Sequence, residues 1–290
     1  DDKIYFPIIV SYTDKEFGGY FDTEADYKDE FITSRLKEES NWAIFPINPH
    51  SYDSINISHS TPNPARPSIH NYLGTDDRGR DVLARLIYGF RLSVLFAFAL
   101  TAIGIIIGIF FGAIQGYFAG RVDLYMQRFI EIWSSMPELY ILIIFSSLFE
   151  PSIFLLVVLL SLFGWMSLSD YVRAEFLRGR NMEYVIAART LGLSNTKIIL
   201  KHILPNSMVS VITFLPFRIS GAILILTSLD FLGLGVPPDT PSLGELLAQG
   251  KENIEAWWLS LSTFFVLVGT LLLLIFIGEG IRESLDSRSS

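Results

Sequence analysis

From Leu92 to Gly120 the chain runs without a charged side chain, through Ile105-Ile106-Ile107. About 20 apolar helical residues cross the hydrocarbon of a bilayer, and in that medium a chain must satisfy its own backbone polar groups, which a helix does within one segment. Four further runs follow. Residues 132–149 and 152–169 flank Glu150-Pro151, 204–229 contains Arg218, and 256–278 is uncharged. The expected fold is an all-α polytopic membrane protein with five spans, near 92–118, 130–149, 152–170, 205–229 and 256–278.

Composition agrees. Half of the 290 residues are hydrophobic and 18% are charged, against about 25% charged in soluble domains. With no cysteine and four scattered histidines (His50, His59, His70, His202) in no H-x-x-H or H-E-x-x-H spacing, metal chemistry is unsupported. A formal net charge of −8 argues against a nucleic-acid partner, which needs a basic surface. There is no G-x-x-x-x-G-K-[ST] phosphate cradle, so no nucleotide site is expected in this chain.

Short loops rich in Arg and Lys face the cytoplasm. The loop 170–206 carries Arg173, Arg178, Arg180, Arg189, Lys197 and Lys201 against Asp170, Glu175 and Glu183, whereas 230–255 is acidic. The first loop is therefore expected inside, together with the C-terminus, and the second outside with the N-terminal region. Arg80, Arg85 and Arg91 disagree with this sorting, although Asp76, Asp77 and Asp81 offset them.

Residues 1–75 read as a small mixed α/β periplasmic region, and 76–286 as the membrane domain. "KIYFPIIVSY" has strand composition. Thr23 suits the cap of a helix with Tyr27, Phe31, Ile32 and Leu36 on one face, and "NWAIFPINP" reads as an edge strand or extended turn. An exported region of this length needs an export signal, and Asp1-Asp2 opens nothing like one. We expect a transmembrane helix upstream, giving six spans with both ends in the cytoplasm.

Two polar stretches are punctuated by glycine. In "LGTDDRGRDVLARLIYGFRLS", Gly74 and Gly79 suit a tight turn, Asp76 and Asp77 suit a helix start, and Val82, Leu83, Leu86, Ile87 and Phe90 fall on one helical face leading into a span. In "NMEYVIAARTLGLSNTKIILKHILPN", residues 181–206, Asn181 suits an N-cap, Glu183 the anion-favouring first turn, and Gly192 a left-handed helix end; Ser194 then caps a second helix that enters the next span near Pro205. Such a helix-Gly-helix fits either a docking surface or an amphipathic loop on lipid headgroups.

The second stretch resembles the cytoplasmic EAA loop of binding-protein-dependent ABC importer permeases. Ala187, Ala188, Gly192, Leu204 and Pro205 match its pattern, while Ile186 stands where the general pattern has Glu and His202 where it has Ile. Those departures, with "GTDDRGRDVLARLIYG", "FGWMSLSDYVRAEFL" and "LTSLDFLGLGVPPDTPSLGELLAQG", are similar to the oligopeptide/dipeptide (OppC/DppC-like) branch over roughly residues 72–286, and the long outer region looks like its Yej-type members, which take up microcin C and oligopeptides.

The resemblance implies a type I importer permease with no cofactor of its own. ATP and Mg would be held by a separate ATPase, as two chains or one fused dimer. The other implied partners are a second, B-type permease subunit, a periplasmic peptide-binding protein, the peptide, and membrane lipid. Ala187 and Ala188 would enter a cleft on the ATPase, Gly192 would set the angle between the two helices, Glu183 and Arg189 would make rim contacts, and Leu204 and Pro205 would close the loop. Glu138 and Arg218, ionisable at membrane depth, are either a substrate path, a structural ion pair or snorkelling residues. Nickel or another small solute is the rival cargo. A secondary transporter would show an inverted repeat or several intramembrane charges, and neither is evident.

Overall fold

The computed structural model describes residues 4–5, 12–20, 31, 32, 34, 42, 43, 48, 50–55, 62–237 and 239–286. Two compact units divide it, Asp1–Ser51 and Tyr52–Ser290. In the first, β1 (Ile4–Tyr5) and β2 (Trp42–Ala43) pair in parallel, with Ile4 opposite Trp42. A 3-10 turn, Asp14–Phe17, stops at Gly18, whose φ of +90° suits glycine. Ile32 is buried and Phe31 is not; Thr23, Tyr27, Leu36 and most of the two expected strand segments lie outside the described residues.

The second unit is helical. Helix α1 (Val82–Phe118) has 37 residues, about 55 Å of length, which exceeds the roughly 30 Å hydrocarbon layer. It therefore takes in Arg85 and Arg91 ahead of the uncharged run. Its cap is Asp81, which accepts from the Ala84 N–H at 2.8 Å; Asp76 instead accepts from the N–H groups of Arg78 and Arg80 in the preceding turn, and Asp77 is exposed. Val82 and Leu86 are buried, but Ile87 and Phe90 are exposed. In a bilayer the outside of a bundle is as apolar as its core, so hydrophobicity does not sort the faces.

Helices α2 (Gly120–Ser134) and α3 (Glu138–Leu148) bend by 62° around Pro137. Helix α4 (Ile153–Gly164), capped by Ser152, breaks at Trp165 and continues as α5 (Met166–Gly179). Then come α6 (Glu183–Thr190), α7 (Asn195–Ile198), a π turn at Ile199–Ile203, and α8 (Leu204–Phe231). Helices α9 (Leu243–Glu252) and α10 (Trp257–Asp286) complete the chain. Val82–Phe118, Ile153–Gly179, Asn195–Phe231 and Trp257–Leu285 are each long and apolar enough to cross a membrane, and α2–α3 makes a fifth if the bent pair is one span.

Packing of α1 on α5 rests on a glycine every fourth residue, which puts all of them on one face. A Cβ on Gly108 would lie 3.0 Å from the Trp165 carbonyl oxygen, one on Gly112 2.5 Å from that of Ser169, and one on Gly116 2.5 Å from that of Arg173. Backbones approach this closely only where the interface lacks side chains, the usual device for helices in lipid. The central core joins α1, α3, α4 and α8 through Phe96, Leu142, Leu160, Ile223 and Leu226. A second core, around Phe176, Val185, Ile198 and Ile203, lies under the α6–α7 loop.

Candidate functional site

Between α5 and α8 the chain turns through two short helices. Met182, not Asn181, caps α6, and it does so without a side-chain bond; Asn181 Nδ2 donates back to the Leu177 carbonyl at the end of α5. Glu183 is exposed in the first turn, where the helix dipole favours an anion. At the other end Leu193 N–H reaches Ala188 O at 3.2 Å and Gly192 N–H reaches Arg189 O at 3.0 Å, the paired bonds of a Schellman motif. The motif needs a left-handed residue, and Gly192 has φ +77°. A Cβ there would touch nothing within 4 Å, so glycine is required for backbone conformation and not for space within this chain. Ser194 precedes α7 as expected, without a side-chain capping bond.

The two faces of α6 differ. Val185 and Ala188 are buried in the chain's own core, with Leu204 half-buried beside it. Ile186 (51% exposed), Leu191 (80% exposed) and Ala187 point outward, with Met182 and Tyr184 also exposed. Arg189 stacks its guanidinium 5.6 Å from the centre of the Tyr117 ring, and Pro205 is exposed in the first turn of α8. Of the two alanines, only Ala187 is exposed.

Two ties fix this pair of helices to the spans. Tyr117 Oη donates to Asn195 Oδ1 at 2.8 Å. Asn206 Nδ2 donates to Tyr184 Oη at 3.0 Å. Ser210 Oγ of α8 donates to Glu175 Oε1 of α5 at 3.3 Å, joining the two spans that flank the loop. Beside them Arg173 holds Asp123 with both arms of its guanidinium, and Gln127 Nε2 donates to Gln115 Oε1 at 2.9 Å. Tyr117 and Asn195 escape a reading of the sequence; an aromatic at the end of an uncharged run marks an interface, but nothing local names its partner.

Glu138 and Arg218 do not meet as an ion pair. Glu138 lines a cavity of about 350 Å³ with Leu100, Met136, Phe163, Met166 and Ile225. Arg218 Nη2 donates to the Gly164 carbonyl at 2.7 Å and Nη1 to Ser167 Oγ at 3.3 Å, where α4 gives way to α5. Gly104 leaves it room, since a Cβ there would lie 2.8 Å from Nη2.

At the far end of α1 a second polar cluster is almost dry. Asp76 Oδ2 accepts from Arg80 Nε at 2.7 Å, Arg85 contacts the same oxygen at 3.5 Å, and Glu245 of α9 bridges Arg80 and Arg85. Arg85 also donates to the carbonyls of Tyr52 and Thr240. Burial pushes the Glu245 carboxyl above its ordinary range, with Arg85 and Arg80 acting in the opposite direction. Asp230, at the end of α8, accepts from Val236 N–H and from Ser242 Oγ, and Ser242 caps α9. Two of the three arginines at odds with the charge sorting are thus neutralised inside the protein.

Known proteins resemble this chain. Residues 104–290 match the family described as binding-protein-dependent transport system inner membrane component. The chain is 49% identical, over 99% of its length and 84% of the relative's, to the inner membrane ABC transporter permease protein YejE of Escherichia coli K12. It is 47% identical, over 99% of its own length and 81% of the relative's, to the peptidoglycan transport system permease protein YejE of Agrobacterium fabrum. The oligopeptide transport system permease protein OppC of Haemophilus influenzae follows at 37%, covering 83% of this chain and 77% of that one. Among solved structures, a chain of the MetNI methionine ABC transporter in an inward-facing conformation superposes with a TM-score of 0.58 at 16% identity, over 70% of this chain and 97% of that one; this likeness bears on the fold, that of a type I ABC importer permease. The chain therefore belongs to the binding-protein-dependent ABC importer permease family and is a multi-pass component of the inner membrane.

Proposed function

We propose that this chain is a permease subunit that imports peptides, microcin C-like peptides among them, driven by ATP hydrolysis on a separate subunit. The observation that carries the reading is the α6–α7 pair. An apolar face of Ile186, Ala187 and Leu191 points away from the protein, while hydrogen bonds from Tyr117 and Asn206 lead back to the spans. Contacts made on that face reach α1 and α8. Since ATP shifts a two-state permease only through differential affinity, one nucleotide state of the ATPase has to favour one docked geometry of this loop. Glu183 and Arg189 form the polar rim, Gly192 sets the angle between the helices, and Leu204 and Pro205 fix where the loop rejoins a span.

The remaining assembly follows the family: a second permease of the B type, an ATPase as two chains or one fused dimer, and a periplasmic binding protein that delivers peptide. The basic loop 170–206 and the C-terminus face the cytoplasm and the N-terminal region the periplasm, by the charge rule. We assign 1–75 to that periplasmic region and 76–286 to the permease domain, with the coupling loop at 181–206. The cavity beside Glu138 is the candidate substrate path; Arg218, turned to the Gly164 carbonyl, shapes its wall.

The test is uptake of a labelled oligopeptide by cells carrying Ala187→Arg or Leu191→Arg. Both substitutions leave the core intact, and transport is expected to be lost while the protein stays in the membrane. Normal uptake in both sinks the docking reading. The name of the Agrobacterium relative favours a second cargo, a peptidoglycan fragment; competition of such fragments with labelled oligopeptide separates the two.

A further inference from the structure

Arg80, Arg85 and Arg91 stand together against the charge sorting of the loops, and the structure accounts for two of them. Arg80 and Arg85 are buried and paired with Asp76 and Glu245. Arg91 is exposed on α1 and makes no ion pair or hydrogen bond among the described residues. It is the last charge before the uncharged run that begins at Leu92, so its guanidinium sits where headgroup gives way to hydrocarbon.

Arg91 also stands at the mouth of a groove of about 450 Å³ between α1 and α4. The wall changes character along its length. Tyr52 and Tyr88, their rings 4.9 Å apart, lie with Arg91 and Thr240 at one end, and Leu92, Leu95, Phe96, Ala99 and Val157 continue it into the span. Tyrosine and arginine at one end with only aliphatic and phenyl surface beyond is the profile of a lipid, anion first and chain after. A peptide would leave its backbone amides unpaired against that surface.

We propose that this groove holds an anionic phospholipid, its phosphodiester on the Arg91 guanidinium and one acyl chain between α1 and α4. The site is separate from the coupling loop and from the cavity beside Glu138. Its effect would be to fill the seam between two spans whose facing side chains leave a gap.

Photocrosslinking tests this on the full chain, assembled with the other transporter subunits in vesicles of phosphatidylethanolamine and phosphatidylglycerol at a known ratio. With benzoylphenylalanine in place of Leu95, the adduct is expected to be phospholipid, with phosphatidylglycerol enriched about fivefold over its share of the vesicle, the factor one cation beside an anionic lipid supplies. Arg91→Gln is expected to return the adducts to the vesicle ratio and Arg91→Lys to keep the enrichment. Adducts at the vesicle ratio in the wild type overturn the proposal, and so does crosslinking to another transporter subunit, which would make the groove a protein interface.

Discussion

Tyr117, in the last turn of the first described span, donates its phenol to Asn195 Oδ1 at 2.8 Å, so that α1 is tied directly to the start of α7. The ring carries Arg189 of α6 on its face. One side chain thus touches both short helices while its ring is buried in the core beneath them. Tyr117→Phe keeps the packing and deletes the bond, at a cost of about 1 kcal/mol. The expected outcome is a protein that melts within a few degrees of wild type but transports less peptide per ATP hydrolysed, measured in proteoliposomes.

Gly192 separates conformation from contact. Its φ of +77° is one that asparagine tolerates and tryptophan does not, the left-handed form costing about 1–2 kcal/mol for ordinary residues. Nothing in the chain lies within 4 Å of a Cβ there. Gly192→Asn should retain most uptake, whereas Gly192→Trp should uncouple ATP hydrolysis from transport while the protein remains in the membrane. Equal, normal transport by both would mean that no partner approaches this turn.

The glycine face of α1 is the most sensitive packing surface. Gly112→Val would drive its Cβ into the Ser169 carbonyl at 2.5 Å and the Val172 side chain at 2.7 Å, and overpacking of a filled interface costs about 1–3 kcal/mol or more. A fall in melting temperature is expected, with Gly269→Ala, a site with open space, as the unaffected control.

Arg85 is fully buried, and its removal takes one of the two arginines from Glu245 and a donor from the carbonyls of Tyr52 and Thr240. Breaking one side of such a cluster costs about 3–5 kcal/mol, so Arg85→Met should abolish stable membrane protein in a thermal-shift or solubility assay. Glu245→Gln should be milder, because the amide oxygen can still accept from an arginine and Asp76 remains beside both guanidinium groups; burial holds the Glu245 carboxyl above its ordinary range. A carboxyl raised in this way favours the folded state while protonated, below the ordinary glutamate range, and that contribution is lost as pH rises through the raised value. Glu245→Gln should remove this part of the pH dependence of melting.

Arg218 bonds to the backbone at the break between α4 and α5 rather than to Glu138. Arg218→Leu should therefore lower uptake of all peptides by a similar factor, whereas Glu138→Gln, on the cavity wall, should alter their relative rates. Competition assays with peptides of different charge read the difference; a change of preference in the Arg218 variant would place it in the substrate path.

Much of this protein is written locally. The uncharged runs and the glycine between α6 and α7 act through the solvent preference of neighbouring side chains and the backbone freedom of one residue, so the sequence alone determines a multi-helix membrane chain with a polar, hinged interruption. Pairing is not local. That Ala188 faces inward while Ile186 and Leu191 face out, that Asp81 and not Asp76 caps α1, and that Arg80 and Arg85 find Glu245 some 160 residues away were decided by which helices pack together. In lipid that choice depends on close backbone fit, such as Gly112 against Ser169, and not on a hydrophobic pattern, because both sides of every span are apolar.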